Sequence, residues 1–181
     1  MHATSSDLLP LQGRTSFGPG TASLAIAALS ALALGGALGI EYIGGIRPCP
    51  LCLDQRIAYY AAVPVALVAA WLASRMPLAA RVLLALLALG FAANAALGVY
   101  HAGIEWGWWP GPDECSGMAP LATTPGELMN SLNSPSVVRC DAAALRIFGL
   151  SLAGYSALLS AFLAILALVG LLQRPTRAAA V

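Results

Sequence analysis

The chain has 181 residues, of which 59% are hydrophobic and only 9% charged, with a formal net charge of +1 and a mean hydropathy of +0.79. An average soluble domain carries roughly 25% charged residues, so this is the composition of an integral membrane protein, with room for one helical bundle and no separate soluble domain. The near-neutral balance argues against nucleic acid or another polyanion as a partner, because phosphate binding needs a concentrated basic surface.

Residues 1–20 contain Ser, Gly, Pro and one Arg without apolar periodicity, and are expected to form a disordered tail. The first transmembrane span is predicted at about 21–41. It exceeds the short apolar core of a cleavable signal peptide and follows a long polar tail. Within it Ala31, Gly35 and Gly39 form a row of small residues, which either permits close helix approach in lipid or only reflects an Ala/Gly-rich composition. A second span is predicted at about 57–74, with Pro64 as a tolerated kink. After a turn at Arg75, Met76 and Pro77, a third runs over about 78–100 and ends at Tyr100-His101.

The segment 101–144 is the long polar one. Pro110, Pro112, Pro120, Pro125 and Pro135 forbid long regular elements there. Thr124-Pro125-Gly126-Glu127 offers an N-cap, a proline at the first helical position and an acid three after the cap, predicting a short helix over 125–132. The fourth span is predicted at about 145–172, followed by a tail at 174–181. The expected fold is an all-α bundle of four transmembrane helices, with outer loops at 42–56 and 101–144.

All cations are arginines, so each can be assigned a side. The N-terminal tail, the turn between spans two and three and the C-terminus carry Arg14, Arg75, Arg81, Arg174 and Arg177 against one acid, Asp7. The opposite side mixes Arg47, Arg56, Arg139 and Arg146 with all the remaining acids. The positive-inside rule makes the first side, with both termini, cytoplasmic. All four cysteines, Cys49, Cys52, Cys115 and Cys140, then lie on the outer side, where disulfides form and persist.

Cys49 and Cys52 form a Cys-x-x-Cys pair between the first two spans. That spacing suits redox exchange, a structural staple or a metal clip. A zinc site built from all four cysteines is disfavoured, because only one pair has metal-knuckle spacing and the compartment is oxidising. Asp54 is expected to cap a helix starting after Cys52, placing that sulfur at a positive helix terminus that favours thiolate. Arg56 lies four residues after Cys52 and can either support the same thiolate or snorkel to head groups. His101 can protonate or stabilise a reduced acceptor at the same membrane level, or simply close its helix. A reactive pair at a bilayer surface needs an electron acceptor, and lipid offers a quinone, whose oxygen Arg56 can bind. Trp106, Trp108 and Trp109 read as an interfacial aromatic belt.

In combination, Cys-Pro-Leu-Cys-x-x-Gln-Arg after a first span, Tyr-His ending a third, and a loop carrying Cys115 and Cys140 before a fourth resemble the disulfide bond formation protein B (DsbB) family. The likeness covers about 22–172. It implies a bacterial inner-membrane enzyme that reoxidises a DsbA-like periplasmic thiol oxidase and passes two electrons to ubiquinone or menaquinone. Carried over by position, Cys115 receives attack by the partner's cysteine, and Cys140 is its resting partner. Released Cys140 then attacks Cys49, and Cys52 is the thiolate facing the quinone, with Arg56 beside the ring and His101 nearby. Gln55 stands where some relatives have Glu. Two other readings are a non-catalytic membrane protein with disulfide-stapled outer loops and a vitamin K epoxide reductase-like oxidoreductase, in which the Cys-x-x-Cys falls late in the bundle.

Overall fold

The computed structural model describes residues 18–112, 124–126, 129 and 139–173. Four helices in it are long and apolar enough to cross a bilayer: α1 (Pro19–Tyr42), α2 (Pro50–Leu72), α3 (Pro77–Glu105) and α4 (Leu152–Leu172). Of the tail expected at 1–20, residues 1–17 lie outside the described residues and Pro19 and Gly20 already belong to α1; the tail expected at 174–181 and the loop residue Cys115 also lie outside the described residues. So does most of the expected short helix, although Pro125, Gly126 and Met129 are helical.

Three helices begin with a proline in their first turn. Proline's fixed φ suits that position, and its missing N–H is not needed there. Two boundaries differ from the sequence-based expectation, the first of them for this reason. The second helix begins at Pro50 rather than near Ile57, so Cys52 lies inside its first turn, and the exposed Asp54 follows the start instead of capping it. The third helix passes His101 and continues to Glu105.

A larger difference precedes the fourth helix. Residues 146–151 form a small antiparallel hairpin, β1 (Arg146–Ile147) with β2 (Leu150–Ser151), in which Arg146 pairs with Ser151 and Ile147 with Leu150. Its two turn residues, Phe148 and Gly149, have φ of 50° and 81°, the doubly left-handed pattern of a two-residue hairpin turn. Ser151 then caps α4, its Oγ accepting the Gly154 N–H at 3.2 Å.

The most extensive packing runs between α3 and α4 and between α1 and α2, with α2 against α3 joining the two pairs. Small residues set the close approaches, but not those in the α1 row: a Cβ on Gly35 or Gly39 would meet nothing within 4 Å. The tight crossings are at Gly98, where a Cβ would sit 2.9 Å from Ala157 Cα, and at Gly170, 2.5 Å from Ala22 Cβ.

The core is apolar where Ile26, Leu84, Phe91 and Leu163 meet. Above it lies a buried polar link. Asn94 on α3 donates to Ser160 Oγ on α4 at 2.9 Å, and the Tyr59 hydroxyl of α2 lies 2.8 Å from the same oxygen. Each group thereby finds the partner that burial demands.

Candidate active site

The cysteine-bearing end of the bundle is built from the start of α2, the end of α3, the last turns of α1 and the segment leading to α4. Pro48 and Pro50 keep Cys49 extended (φ −78°, ψ 166°), which makes it the N-cap of α2. Its Sγ accepts the Cys52 N–H at 3.4 Å, as an N-cap side chain does. One helical turn brings Cys52 Sγ back to 3.1 Å, within hydrogen-bond reach of Cys49 Sγ, and once Cys49 is a thiolate the Cys52 S–H is the donor. Both sulfurs are free thiols.

His101 reaches this pair from α3. It is 1% exposed, with Nε2 3.5 Å from Cys49 Sγ and Nδ1 2.9 Å from the Gln55 side-chain nitrogen. With that amide group donating, Nδ1 is the acceptor and Nε2–H faces the sulfur. The Cys49 thiol is accordingly lowered to about 4, by the Cys52 hydrogen bond first and then by the contact with His101, against the opposing cost of burial. The anion-stabilising contacts thus converge on Cys49, whereas the helix start expected from the sequence would favour Cys52.

Arg56 lies one turn further along α2. Its Nη1 forms an ion pair with Glu41 Oε2 at the end of α1, and Nη2 donates to the Ala37 carbonyl at 3.4 Å. Both Arg56 and Glu41 are largely buried, so the pair stitches α1 to α2. The interfacial snorkelling expected as one alternative does not describe it.

Between these groups opens a cavity of about 310 Å³. It is lined by Ala33, Gly36, Ala37 and Ile40 of α1, by Cys52, Gln55, Arg56 and Tyr59 of α2, by His101 and Glu105 of α3 and by Leu152, Ser156 and Leu159 of α4. Its size lies at the lower end of ordinary small-ligand pockets, and its character, apolar with few convergent polar groups, is also typical of them. A Cβ at Gly36 would meet nothing within 4 Å, so the small residues of α1 leave the space open. A flat ring with two carbonyl oxygens and an apolar tail fits these linings, with Arg56 as the donor.

Cys140 is disulfide-bonded and 1% exposed, and it packs in one buried cluster with Cys49, Leu51 and Ile104, against which Cys52 and Leu97 are laid. Arg139, on its other flank, pairs with Asp141. The structure therefore brings together five of the six residues singled out from the sequence: Cys49, Cys52, Arg56, His101 and Cys140. The sixth, Cys115, lies outside the described residues.

Sequence reasoning does not find Glu41 or Glu105, nor Gln55 as the group that fixes His101. The signal for Glu105 is its place four residues after His101, one turn along the same helix face. Its Oε1 is 3.9 Å from His101 Nε2, and the side chain is 6% exposed.

A family model described as "Disulfide bond formation protein DsbB" matches residues 19–170. The chain belongs to the DsbB family. The match spans all four helices and the whole site. One relative, a disulfide bond formation protein B of Herminiimonas arsenicoxydans, is 32% identical over 65% of this chain and 70% of its own length. An uncharacterized protein of Rickettsia prowazekii (strain Madrid E) is 26% identical over 76% of this chain and 79% of its own. No solved structure matches the chain. Membership in the DsbB family makes this a multi-pass membrane oxidoreductase of disulfide formation, in keeping with its four apolar helices.

Proposed function

We propose that this DsbB-family protein reoxidises a DsbA-like, thioredoxin-fold thiol oxidase of the periplasm and delivers the electrons to a membrane quinone, ubiquinone or menaquinone. The observation that carries the reading is the burial of disulfide-bonded Cys140 in one cluster with free Cys49, directly beside a cavity lined by Cys52, Arg56 and His101. A mere staple has no use for a neighbouring dithiol, a depressed thiol pKa and an open pocket.

In this scheme Cys115 and Cys140 form the outer disulfide. The partner's thiolate attacks Cys115 Sγ, the Cys115–Cys140 bond breaks, and Cys140 leaves as a thiolate. The partner's second thiolate then releases Cys115, so the partner gains a disulfide and the outer pair becomes a dithiol. Cys140 next attacks Cys49 of an oxidised Cys49–Cys52 pair, and Cys115 resolves the inter-pair bond, moving two electrons inward. A bound quinone supplies the two-electron, two-proton acceptor for the resulting Cys49–Cys52 dithiol.

The chain's own groups are arranged for these steps. Cys49 is the low-pKa leaving group when Cys115 attacks Cys140 of the inter-pair bond. Its thiolate is held by Cys52 S–H and by His101 Nε2–H. Arg56 places a fixed positive charge at the cavity wall, tempered by Glu41. His101 and Glu105 stand where protons leave the thiols.

Purified protein supplied with quinone should oxidise a reduced thioredoxin-like substrate. Cys49→Ala and Cys52→Ala should each abolish turnover, and undiminished quinone reduction in either variant overturns the scheme. A Cys140→Ala variant should accumulate a mixed disulfide between Cys115 and its partner.

A further inference from the structure

We propose that the dithiol form of this site is also a binding site for a thiophilic d10 cation of the Zn2+ class, held by Cys49, Cys52 and His101, with Glu105 beside the imidazole. It differs from a four-cysteine cluster: the second pair takes no part. The three ligand atoms lie within 4.8 Å of one another, with sulfur to sulfur 3.1 Å and sulfur to Nε2 3.5 Å. Tetrahedral zinc with ordinary Zn–S and Zn–N bonds separates two sulfurs by about 3.8 Å and a sulfur from a nitrogen by about 3.6 Å. Separating the two sulfurs by about 0.7 Å from their 3.1 Å contact therefore brings them to zinc-ligand spacing.

A carboxylate also stands beside the imidazole. Glu105 Oε1 is 3.9 Å from Nε2, and its Oε2 is buried with no hydrogen-bond partner among the described residues. A carboxylate desolvated without a partner is costly, and a cation offsets that cost.

Gln55 completes the argument. Metal binding at Nε2 requires the hydrogen on Nδ1, which then needs an acceptor. Gln55 Oε1 is likewise buried and unpartnered, and rotating the amide by half a turn presents that oxygen to Nδ1. An amide thus supports either tautomer, the Nε2–H form facing Cys49 or the metal-bound form. This is the outer-sphere contact that ligating histidines characteristically make.

Binding converts the Cys49 thiolate, the Cys52 thiol and Zn2+ into a zinc dithiolate and releases the Cys52 proton, with no electron transfer. A Cys49–Cys52 disulfide offers no thiolate, so the cation selects the reduced site and withholds its electrons. Soft sulfur donors with imidazole favour Zn2+ and Cu+ over hard cations. The physiological consequence rests on the redox scheme above; the binding geometry does not.

The full-length protein, reduced with a phosphine and desalted, is titrated with Co2+ as the spectroscopic probe and then with Zn2+. One equivalent should give a sulfur-to-cobalt charge-transfer band and tetrahedral d–d bands, both bleached by Zn2+. The bands should be absent from the oxidised protein, lost in Cys49→Ala and Cys52→Ala, kept in Cys140→Ser, and reached only at about 10- to 100-fold higher metal in Gln55→Leu. No band, or a band that survives Cys49→Ala or vanishes in Cys140→Ser, overturns the assignment. Quinone-linked turnover measured on the same sample separates the two readings: the band without turnover refutes the redox scheme alone, and turnover without the band refutes the metal site alone.

Discussion

Removing His101 tests how the site makes a thiolate. In the native arrangement Cys49 is lowered from an ordinary 9.0 to about 4, the Cys52 S–H being the largest cause and His101 the next stabilising one. His101→Ala deletes the Nε2 contact at 3.5 Å and leaves Cys52 in place. A hydrogen bond to a charged group contributes about 1.5–3 kcal/mol, which at 1.36 kcal/mol per pH unit raises the Cys49 midpoint by about one to two units.

The sign follows from linkage. A depressed thiol pKa stabilises the folded dithiol form fully above 9.0, and that contribution declines as pH falls and is gone below about 4. The variant should therefore lose stability relative to the native protein most at neutral and higher pH, and least near pH 4. Alkylation of Cys49, read by mass spectrometry across pH with the outer disulfide intact, locates the midpoint directly. An unchanged midpoint in His101→Ala refutes the assignment of His101 as a thiolate partner.

Three further outcomes are expected. Arg56→Ala should raise the apparent KM for quinone, with Arg56→Lys intermediate; an unchanged KM would make the Arg56–Glu41 pair purely a helix tie. Gly98→Ala drives a methyl to 2.9 Å from Ala157 Cα, and overpacking of this kind costs about 1–3 kcal/mol; thermal unfolding in detergent should show it, while Gly35→Ala, which meets nothing, should leave the midpoint where it was. A membrane-impermeant thiol reagent should label reduced Cys115 in intact spheroplasts, and labelling confined to inverted vesicles would reverse the orientation.

The transmembrane helices were legible because composition alone requires them, and each apolar run is long enough to span. Their ends were not. Pro50 reads in sequence as punctuation inside a loop, yet its ring suits the first turn of α2, and the error displaced the cap from Cys49 to Asp54. The hairpin at 146–151 escaped notice because Arg146, Ile147 and Phe148 continue an apolar pattern that also suits a helix start; only the left-handed backbone at Phe148 and Gly149 reveals the turn.

At the site, the spacing of Cys49, Cys52 and Arg56 is local and visible. The meeting of His101 with Cys49 spans 52 residues and depends on how α3 crosses α2, which no local pattern encodes. Glu41, at the end of the first expected span, and Glu105, in the expected outer loop, are unremarkable acids until helix packing gives one an arginine and the other a histidine.

The layering of the bundle also governs the direction of charge. The polar link of Tyr59, Ser160 and Asn94 stops against Phe91, and beyond it Leu84, Leu163 and Ile26 are fully buried. Ser23 and Ser30 flank Ile26 on α1, but the Ser23 hydroxyl is spent on the Pro19 carbonyl and the Ser30 hydroxyl has no partner among the described residues. The described side chains therefore form no continuous hydrogen-bonded chain from the thiols to the far end of the helices, and turnover in sealed vesicles should proceed without building a membrane potential.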